Sequence, residues 1–291
     1  MQPLVAPHVV CRPALPADTS DVLEFTKFIW EGHDYIKYVW RDWLADPQGL
    51  LAAAIYGPRT VGIAKITLIS GGQWWLEGFR VDPNYQGLKI GSHLHEYLDR
   101  WWLEHGDGIL RLMTSSKRAQ VQHLSARTGF TKVGEVWAYK APPRDASLHS
   151  FEPVGPQDLE QAILFASDHL IGPHQLIDLG WRFAAPDRET LARLIRDQRL
   201  YWWQGRRGLA GFWEDDDEAG QVLAISFVAG AAGELTSLLA GIPSLAKQNQ
   251  YASVLWLAPN DGQLQADLST AGYVSEWEHS GFLYEKRHPR A

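Results

Sequence analysis

Sulfur is scarce in this chain: Cys11 is the single cysteine, and only two methionines occur among 291 residues. A lone cysteine closes no internal disulfide and excludes every all-cysteine metal site, so nothing here depends on an oxidising compartment. Long apolar runs are missing too; none approaches the ~18 residues that a spanning helix needs. The stretch Met1–Ala17 has no basic region ahead of its apolar residues and is cut up by prolines, so no signal peptide is read there. Positive charge is in short supply: 27 Lys and Arg against 34 Asp and Glu give a formal net charge of −7. That balance argues against an extended nucleic-acid footprint. The expectation is a cytoplasmic protein with neither membrane nor nucleic acid as partner, and with no oligomeric state legible. Tryptophan, by contrast, is abundant, 14 against 10 Phe and 10 Tyr.

With 45% hydrophobic and 21% charged residues, the chain has an ordinary globular composition. At about 150 residues per domain, its length suggests two domains. Val9-Val10-Cys11 opens an extended run, and Asp18-Thr19-Ser20-Asp21 supplies capping chemistry for a helix carrying Val22, Phe25 and Ile29, ended by Gly32. Ile36, Val39, Trp40, Trp43 and Leu44 trace a second helical stripe. Strands are predicted over 50–56, 60–69, 74–81, 106–113 and 134–140, with helices from Ser92 and over 117–127. This is the order of a mixed α/β layer protein.

After the linker Ala141-Pro142-Pro143-Arg144-Asp145 the order begins again. Arg59-Thr60-Val61-Gly62 finds a counterpart in Arg207-Gly208-Leu209-Ala210-Gly211. The strand ending at Val81 is echoed by 221–228, and Gly129-Phe130 by Gly272-Tyr273. The offsets, 149, 147 and 143 residues, drift only as small deletions would make them. A duplication is the reading.

The stretch from Trp74 to Ser92 carries the most chemistry. A strand, Trp74–Val81, leads through Asp82-Pro83-Asn84-Tyr85 into Gln86-Gly87-Leu88-Lys89-Ile90-Gly91-Ser92 and a helix. A glycine-bearing loop offers successive backbone N–H groups, and the helix N-terminus adds its positive dipole end, so the pair suits phosphate. The spacing of a P-loop is absent, as are the three glycines of a dinucleotide fingerprint.

This segment, with the element order around it, resembles motif A of the GCN5-related N-acetyltransferases (GNAT), which cradles the pyrophosphate of acetyl-coenzyme A. Gln86 and Gly91 match the first and last positions of that motif, whereas Lys89 stands where the middle glycine is usual. Arg127-Thr128-Gly129-Phe130 is similar to the helix-to-strand junction of the family. Gly32-His33-Asp34-Tyr35, Trp43-Leu44, Pro47 and 76–83 resemble, more weakly, the histidine N-acetyltransferases and their relatives, which also carry a second acetyltransferase-like half. The resemblance implies an α/β (α+β) fold of two tandem acetyltransferase-like domains, each a mixed, mostly antiparallel sheet flanked by helices. Residues 1–143 are the expected catalytic domain with the acetyl-coenzyme A loop, and 144–291 a degenerate copy.

What the resemblance implies for single residues is also specific. Glu77 takes the place of the general base, where burial beside Trp75 and Phe79 would make a carboxylate a better one; a structural ion pair is the competing role. Phe79, Arg80 and Val81 would offer main chain to the pantetheine arm, and Gln86, Gly87, Leu88, Lys89, Ile90, Gly91 and Ser92 would hold the pyrophosphate. The usual acid is a tyrosine four residues before the junction glycine; Ser125 stands there, with His123 and Tyr139 as substitutes. Asp34, Tyr35 and Trp75 are candidates to meet an ammonium or imidazolium acceptor, against a plain capping role for Asp34. Arg80 has two readings, a substrate carboxylate or a surface acid as its partner. From their number alone, some tryptophans, with Trp30, Trp40, Trp43, Trp74 and Trp75 in this half, would line a cleft, while those at helical spacing read mostly as core.

Two metal readings fail on geometry. His93 and His95, two apart on a helix, diverge, and Glu214–Glu218 lacks the alternation of a calcium loop, reading instead as a solvated hairpin turn. No metal is expected. In the second half Ala224 falls where Glu77 would repeat, and 229–233 lacks the leading Gln or Arg. The expected function is transfer of an acetyl group from acetyl-coenzyme A to the primary amine of a small molecule, a histidine-like amino acid first. The rivals are a non-catalytic coenzyme A-binding or regulatory protein, and an acetyltransferase for polyamines, aminoglycosides or a protein amine.

Overall fold

Alternation of apolar and polar residues and the turns between them build one motif twice. The computed structural model describes residues 8–145, 151–231 and 233–290, apart from the side chains of Trp30 and Glu31. Trp30 as a cleft residue, the first seven residues of the N-terminal stretch and Ala232 of the second loop therefore lie outside the described residues. The first half runs β1 (Val9–Pro13), α1 (Thr19–Thr26), α2 (Ile36–Ala45), β2 (Leu50–Tyr56), β3 (Arg59–Ser70), β4 (Gln73–Val81), α3 (Ile90–His105), β5 (Ile109–Ser115), α4 (Ala119–Arg127) and β6 (Thr131–Ala141). The second opens with β7 (Phe151–Pro153), α5 (Leu159–His169), β8 (Leu170–Ile171), β9 (Ile177–Asp178), β10 (Phe183–Ala184) and α6 (Arg188–Arg196). It continues with β11 (Leu200–Trp203), β12 (Gly208–Asp217), β13 (Gly220–Gly230), α7 (Leu235–Gln248), β14 (Ser253–Pro259), α8 (Gly262–Thr270), β15 (Val274–Ser275) and β16 (Gly281–Arg287).

Two compact units form, and neither is contiguous in sequence. The first runs to Leu112 and takes in His123–Phe130 and the residues from Lys286 onward; the second comprises Met113–Gln122 and Thr131–Glu285. In the first, β1, β2, β3 and β4 pair antiparallel in turn, and β4 pairs parallel with β5. The second repeats that succession with β7, β11, β12 and β13 antiparallel and β13 parallel to β14. There β6, the last strand of the first half, lies between β14 and β16.

Each unit has helices on its sheet. Val22, Phe25, Ile36, Trp40 and Trp43 of α1 and α2 bury against Leu51 and Ile63. In the second unit Leu238, Leu239 and Ile242 of α7 join Leu264 and Leu268 of α8 in one cluster, and Leu191, Leu194 and Ile195 of α6 join Ala162 and Ala166 of α5 in another. Two expectations are corrected. The first helix ends at Thr26, with Ile29–Gly32 a separate 3-10 turn. Glu214–Asp217 are the end of strand β12, paired with Gly220–Leu223, and Asp217 binds Lys140 at 2.7 Å; the turn falls on Glu218 and Ala219.

Candidate active site

Along a regular strand every second side chain shares a face, and a bulge breaks that rule by one residue. In β4 the break falls where the chemistry is expected. Lys65 and Ile63 of β3, two positions apart, stand opposite Glu77 and Arg80, three apart. The extra residue brings Arg80 onto the face already carrying Glu77 and Trp75. Gly78 accommodates the bulge with φ +67°; a Cβ there would sit 2.5 Å from the Trp43 ring. Phe79 turns away, toward His95 on α3, with ring centroids 6.0 Å apart.

The parallel ladder between β4 and β5 joins only Gln73–Trp75 to Ile109–Arg111, although β4 runs on to Val81. Leu76–Val81 continue past its last rung. The half-buried Glu77 accepts a 2.6 Å hydrogen bond from Thr67 Oγ1. Trp75, opposite Thr67, is buried. A carboxylate oriented by a hydroxyl, beside an indole and the end of a ladder, is arranged as a proton acceptor needs to be.

Asp34 and Arg80 take each other as partners. The guanidinium Nε and Nη2 donate to Asp34 at 2.7 and 3.1 Å, and both side chains are buried. Asp34 Oδ1 also accepts from Ile36 N at 3.2 Å, at the start of α2. Tyr35 lies 5.1 Å under the guanidinium and meets Trp43 edge-on at 6.1 Å. Asp34 bonds the start of α2 and also takes a cation, and the acid that pairs with Arg80 is buried, where a surface acid was the expected alternative. Tyr35 remains an aromatic wall beside them.

The loop after β4 starts from an Asx turn, Asp82 Oδ1 accepting from Asn84 N and Nδ2 at 2.9 Å, and Tyr85 rests edge-on against Tyr56. Gln86, Gly87, Leu88 and Lys89 are exposed. Gly87 has φ +87°, and a Cβ there would meet nothing within 4 Å. Lys89 is the N-cap of α3 in the left-handed region, φ 56° and ψ 24°, and makes no side-chain capping bond. Ile90 anchors the helix in the core while Gly91 and Ser92 are half-buried. An exposed turn of backbone with a lysine at an uncapped helix start fits a pyrophosphate.

Ser125, on α4, is fully buried, and its hydroxyl has no hydrogen-bond partner among the described residues. His123 is exposed, and Tyr139 lies on β6, where burial raises its phenol above the ordinary range. His93 is exposed while His95 is buried, as divergent residues of one helix should be. His95 Nε2 lies 2.7 Å from Thr128 Oγ1, and burial pushes its imidazole down to about 4. No cluster of three His, Cys, Asp or Glu able to hold a metal occurs among the described residues, and none of their helices is long and apolar enough to cross a membrane.

Three residues of this face escape motif reasoning. Lys65 is 1% exposed and binds Asp46, which follows α2; its one visible signal is that it is the single charged residue in the run Val61–Ile69. Asp46 and Thr67 carry no signal at all. In the second unit the ladder sets Ile225, not Ala224, in the place of Glu77: Phe212 and Gly211 stand opposite Ile225 and Phe227, with Ser226 bulged. Both Ala224 and Ile225 are apolar and buried.

The acetyltransferase (GNAT) family profile matches residues 19–130. No curated protein matches the sequence. Among solved structures, a GCN5-related N-acetyltransferase from Sphaerobacter thermophilus is similar over 96% of this chain and 95% of its own, at 13% identity and a TM-score of 0.65. A tandem GNAT protein of the clavulanic acid biosynthesis pathway is similar over 96% and 98%, at 11% identity and a TM-score of 0.61. The glucosamine N-acetyltransferase region of a fungal multi-domain β-N-acetylglucosaminidase is similar over 97% of this chain and 38% of its own, at 14% identity and a TM-score of 0.70. The neighbours share the tandem fold, and the profile covers the bulged strand, the glycine-bearing loop and the helix after it. Residues 19–130 therefore carry a GNAT-family acetyltransferase domain, and the chain as a whole shares the fold of these neighbours.

Proposed function

We propose that this protein acetylates the primary amine of a small molecule, a free amino acid of the histidine type first, through one site in the residues 1–143. The observation that carries this reading is Glu77: a half-buried carboxylate, held by Thr67, where β4 continues past its parallel ladder. Gln86–Ser92 would hold the pyrophosphate, through loop N–H groups, the start of α3 and the Lys89 ammonium. Bound acetyl-coenzyme A supplies a thioester carbonyl that an amine attacks directly.

The chain's part is to make the amine nucleophilic and to place it. An ammonium has no lone pair until it loses a proton, and Glu77 takes that proton at its carboxylate, directly or through a water. Main-chain N–H groups in Phe79–Val81 would polarise the carbonyl oxygen. Tyr35 and Trp75 would wall the acceptor, while Asp34 fixes Arg80 and the start of α2. Ser125 is the candidate proton donor to the departing thiolate, already a good leaving group. The second half, 144–291, is read as the degenerate copy, retained for packing, and the setting as cytoplasmic.

Release of free thiol from acetyl-coenzyme A, measured with pools of amino acids, polyamines and aminoglycosides, tests the reading. Release that resolves to histidine or another amino acid is expected. Binding of acetyl-coenzyme A with no release from any pool would favour the coenzyme A-binding rival, and release with polyamines or aminoglycosides alone would move the acceptor. Glu77→Gln is expected to cut turnover by about 10²–10⁴ with binding intact.

A further inference from the structure

In each half the connection between the first two helices holds a buried acid. In the first half it spans 27–35, and Asp34 takes the Arg80 guanidinium, which lies 5.1 Å over the Tyr35 ring. In the second it spans 170–187, twice the length, and folds in part as the hairpin β9–β10 with Asp178 at its turn. Ser226, the bulged residue of β13, donates its hydroxyl to the Asp178 carbonyl and fixes the hairpin there. Asp178 is 2% exposed. One carboxyl oxygen caps the turn, accepting from the N–H groups of Trp181 and Arg182; Oδ1 has no partner among the described residues. Beside the carboxyl stands Trp213 of β12, whose indole N–H is likewise buried without a partner among them. Trp181 meets Trp213 edge-on at 6.3 Å, stacks on Trp277 at 6.0 Å and donates its indole N–H to Asp215 at 3.0 Å. It is exposed at the hairpin tip, while Trp213 and Trp277 are half-buried. All of these residues belong to the second unit. Turn capping accounts for one oxygen of Asp178. It leaves a second oxygen and an indole N–H buried side by side, each at a cost to the empty protein.

We propose that Asp178, Trp181 and Trp213 form a second binding site, for an organic cation of the guanidinium type taken from solution. β13 carries Val228 where β4 carries Arg80, so the cation that Asp34 finds on its own sheet has no counterpart at that place. A guanidinium is planar and weakly hydrated; it can lie against an indole while its N–H fork meets a carboxylate. Asp215 adds an acid beside Trp181. The charged and titratable groups around Asp178 are Asp215 of β12, Arg182 of the turn and, beyond Trp277, His279, stacked on that ring at 6.4 Å. Burial keeps the empty carboxyl protonated at pH 7, and an entering cation draws the proton off. Entry is past Trp181, the exposed ring at the hairpin tip.

Agmatine, a guanidinium without a carboxylate, is the probe, titrated into the full chain with no acetyl-coenzyme A present. Saturable binding by calorimetry is expected, with the indole N–H signals of Trp181 and Trp213 moving together in the proton–nitrogen spectrum. Asp178→Asn removes the acid without burying a new charge and should weaken binding by about 10–10²-fold. Trp181→Ala should weaken it by about fivefold. Putrescine, with an ammonium at each end and no guanidinium, should bind more weakly than agmatine. Agmatine also has a primary amine that could enter a site beside Glu77, and the variants tell the two places apart. Affinity equal to wild type in both folded variants overturns the proposal, as does wild-type protein with no saturable binding. Putrescine binding as tightly as agmatine overturns the assignment of a guanidinium.

Discussion

β4 and β13 are the same strand built twice, and their differences separate scaffold from chemistry. Each follows two antiparallel partners, carries one bulged residue and pairs in parallel with a strand that stops sharing rungs before it ends. In β4 the bulge sets Glu77 and Arg80 on one face. In β13 the corresponding places hold Ile225 and Val228, both buried. The helix that follows differs in charge: Lys89 is the N-cap of α3, whereas Glu234 is the N-cap of α7 and is paired with Arg207. Buried acids contrast as well. Asp34 has Arg80, but Asp178 keeps one oxygen without a partner among the described residues, and burial pushes its carboxyl up to about 8 despite bonds from Trp181 and Arg182 N–H groups. The bulge is common to both strands, whereas the acid and the guanidinium it sets on one face occur only in β4.

After Glu77→Gln, the largest effect in this comparison comes from separating Asp34 and Arg80. Arg80→Met leaves a buried carboxylate alone, and about 3–5 kcal/mol of stability is expected to go, read from urea unfolding followed by tryptophan fluorescence. Asp178→Asn in the other copy should do the reverse. Asp178 binds its proton in the folded protein up to about pH 8 and gives it up near pH 4 when unfolded, so its contribution falls as pH rises between those values. The variant should therefore melt higher than wild type at pH 8 and equally at pH 4; a lower midpoint at pH 8 would mean that the hydrogen bonds to Trp181 and Arg182 outweigh the burial of charge.

His95 supplies a pH response of the opposite sign, confined to the first unit. Its folded value of about 4 lies below the ordinary 6.5, so the unfolded chain binds the proton first as pH falls. The stability involved is whole above about pH 6.5 and is lost on the way to pH 4, about 3 kcal/mol in all. In His95→Gln this slope should be missing from denaturant midpoints measured over pH 4–7. An unchanged slope would place the acid sensitivity elsewhere.

Much of this was legible from residue pattern. The strand Leu50–Tyr56 and the helix Ile36–Ala45 follow directly from periodicity, and the loop from its glycines. The bulge at Gly78 was not legible, because nothing in Glu77-Gly78-Phe79-Arg80 states which residue is extra; the ladder with β3 decides it. Without the bulge, strict alternation puts Arg80 on the face opposite Glu77, and its partner Asp34, 46 positions away, stays hidden. The same holds for Ile225, one place from where a constant offset points. Pairings such as Lys65 with Asp46 depend on where a helix ends in space, which spacing does not encode. The place of β6 beside β14 is likewise a matter of which edge a finished sheet offers, and its own sequence reads as a strand either way.

Lys89 gives the smallest effect and the finest test of what separates the two loops. A side chain in the left-handed region costs about 1 kcal/mol relative to glycine, so the first loop tolerates strain that a glycine at that position would relieve. Charge is a reason for keeping it. At the start of α3 a lysine opposes the helix dipole and weakens the free protein slightly, but it attracts a phosphate; at the start of α7 a glutamate satisfies the dipole and repels one. Lys89→Gly should then stabilise the unliganded protein by up to about 1 kcal/mol and weaken acetyl-coenzyme A binding by roughly fivefold, the worth of one exposed charge pair. Lys89→Glu, which gives the first loop the charge of the second, should bind more weakly still, and the gap between the two variants should close as salt is raised. Calorimetric titration at low and high ionic strength measures both. Equal affinity for wild type and Lys89→Gly at low salt would show that the backbone of Gln86–Ser92 alone holds the phosphates, and that the charge at the helix start is incidental in both copies.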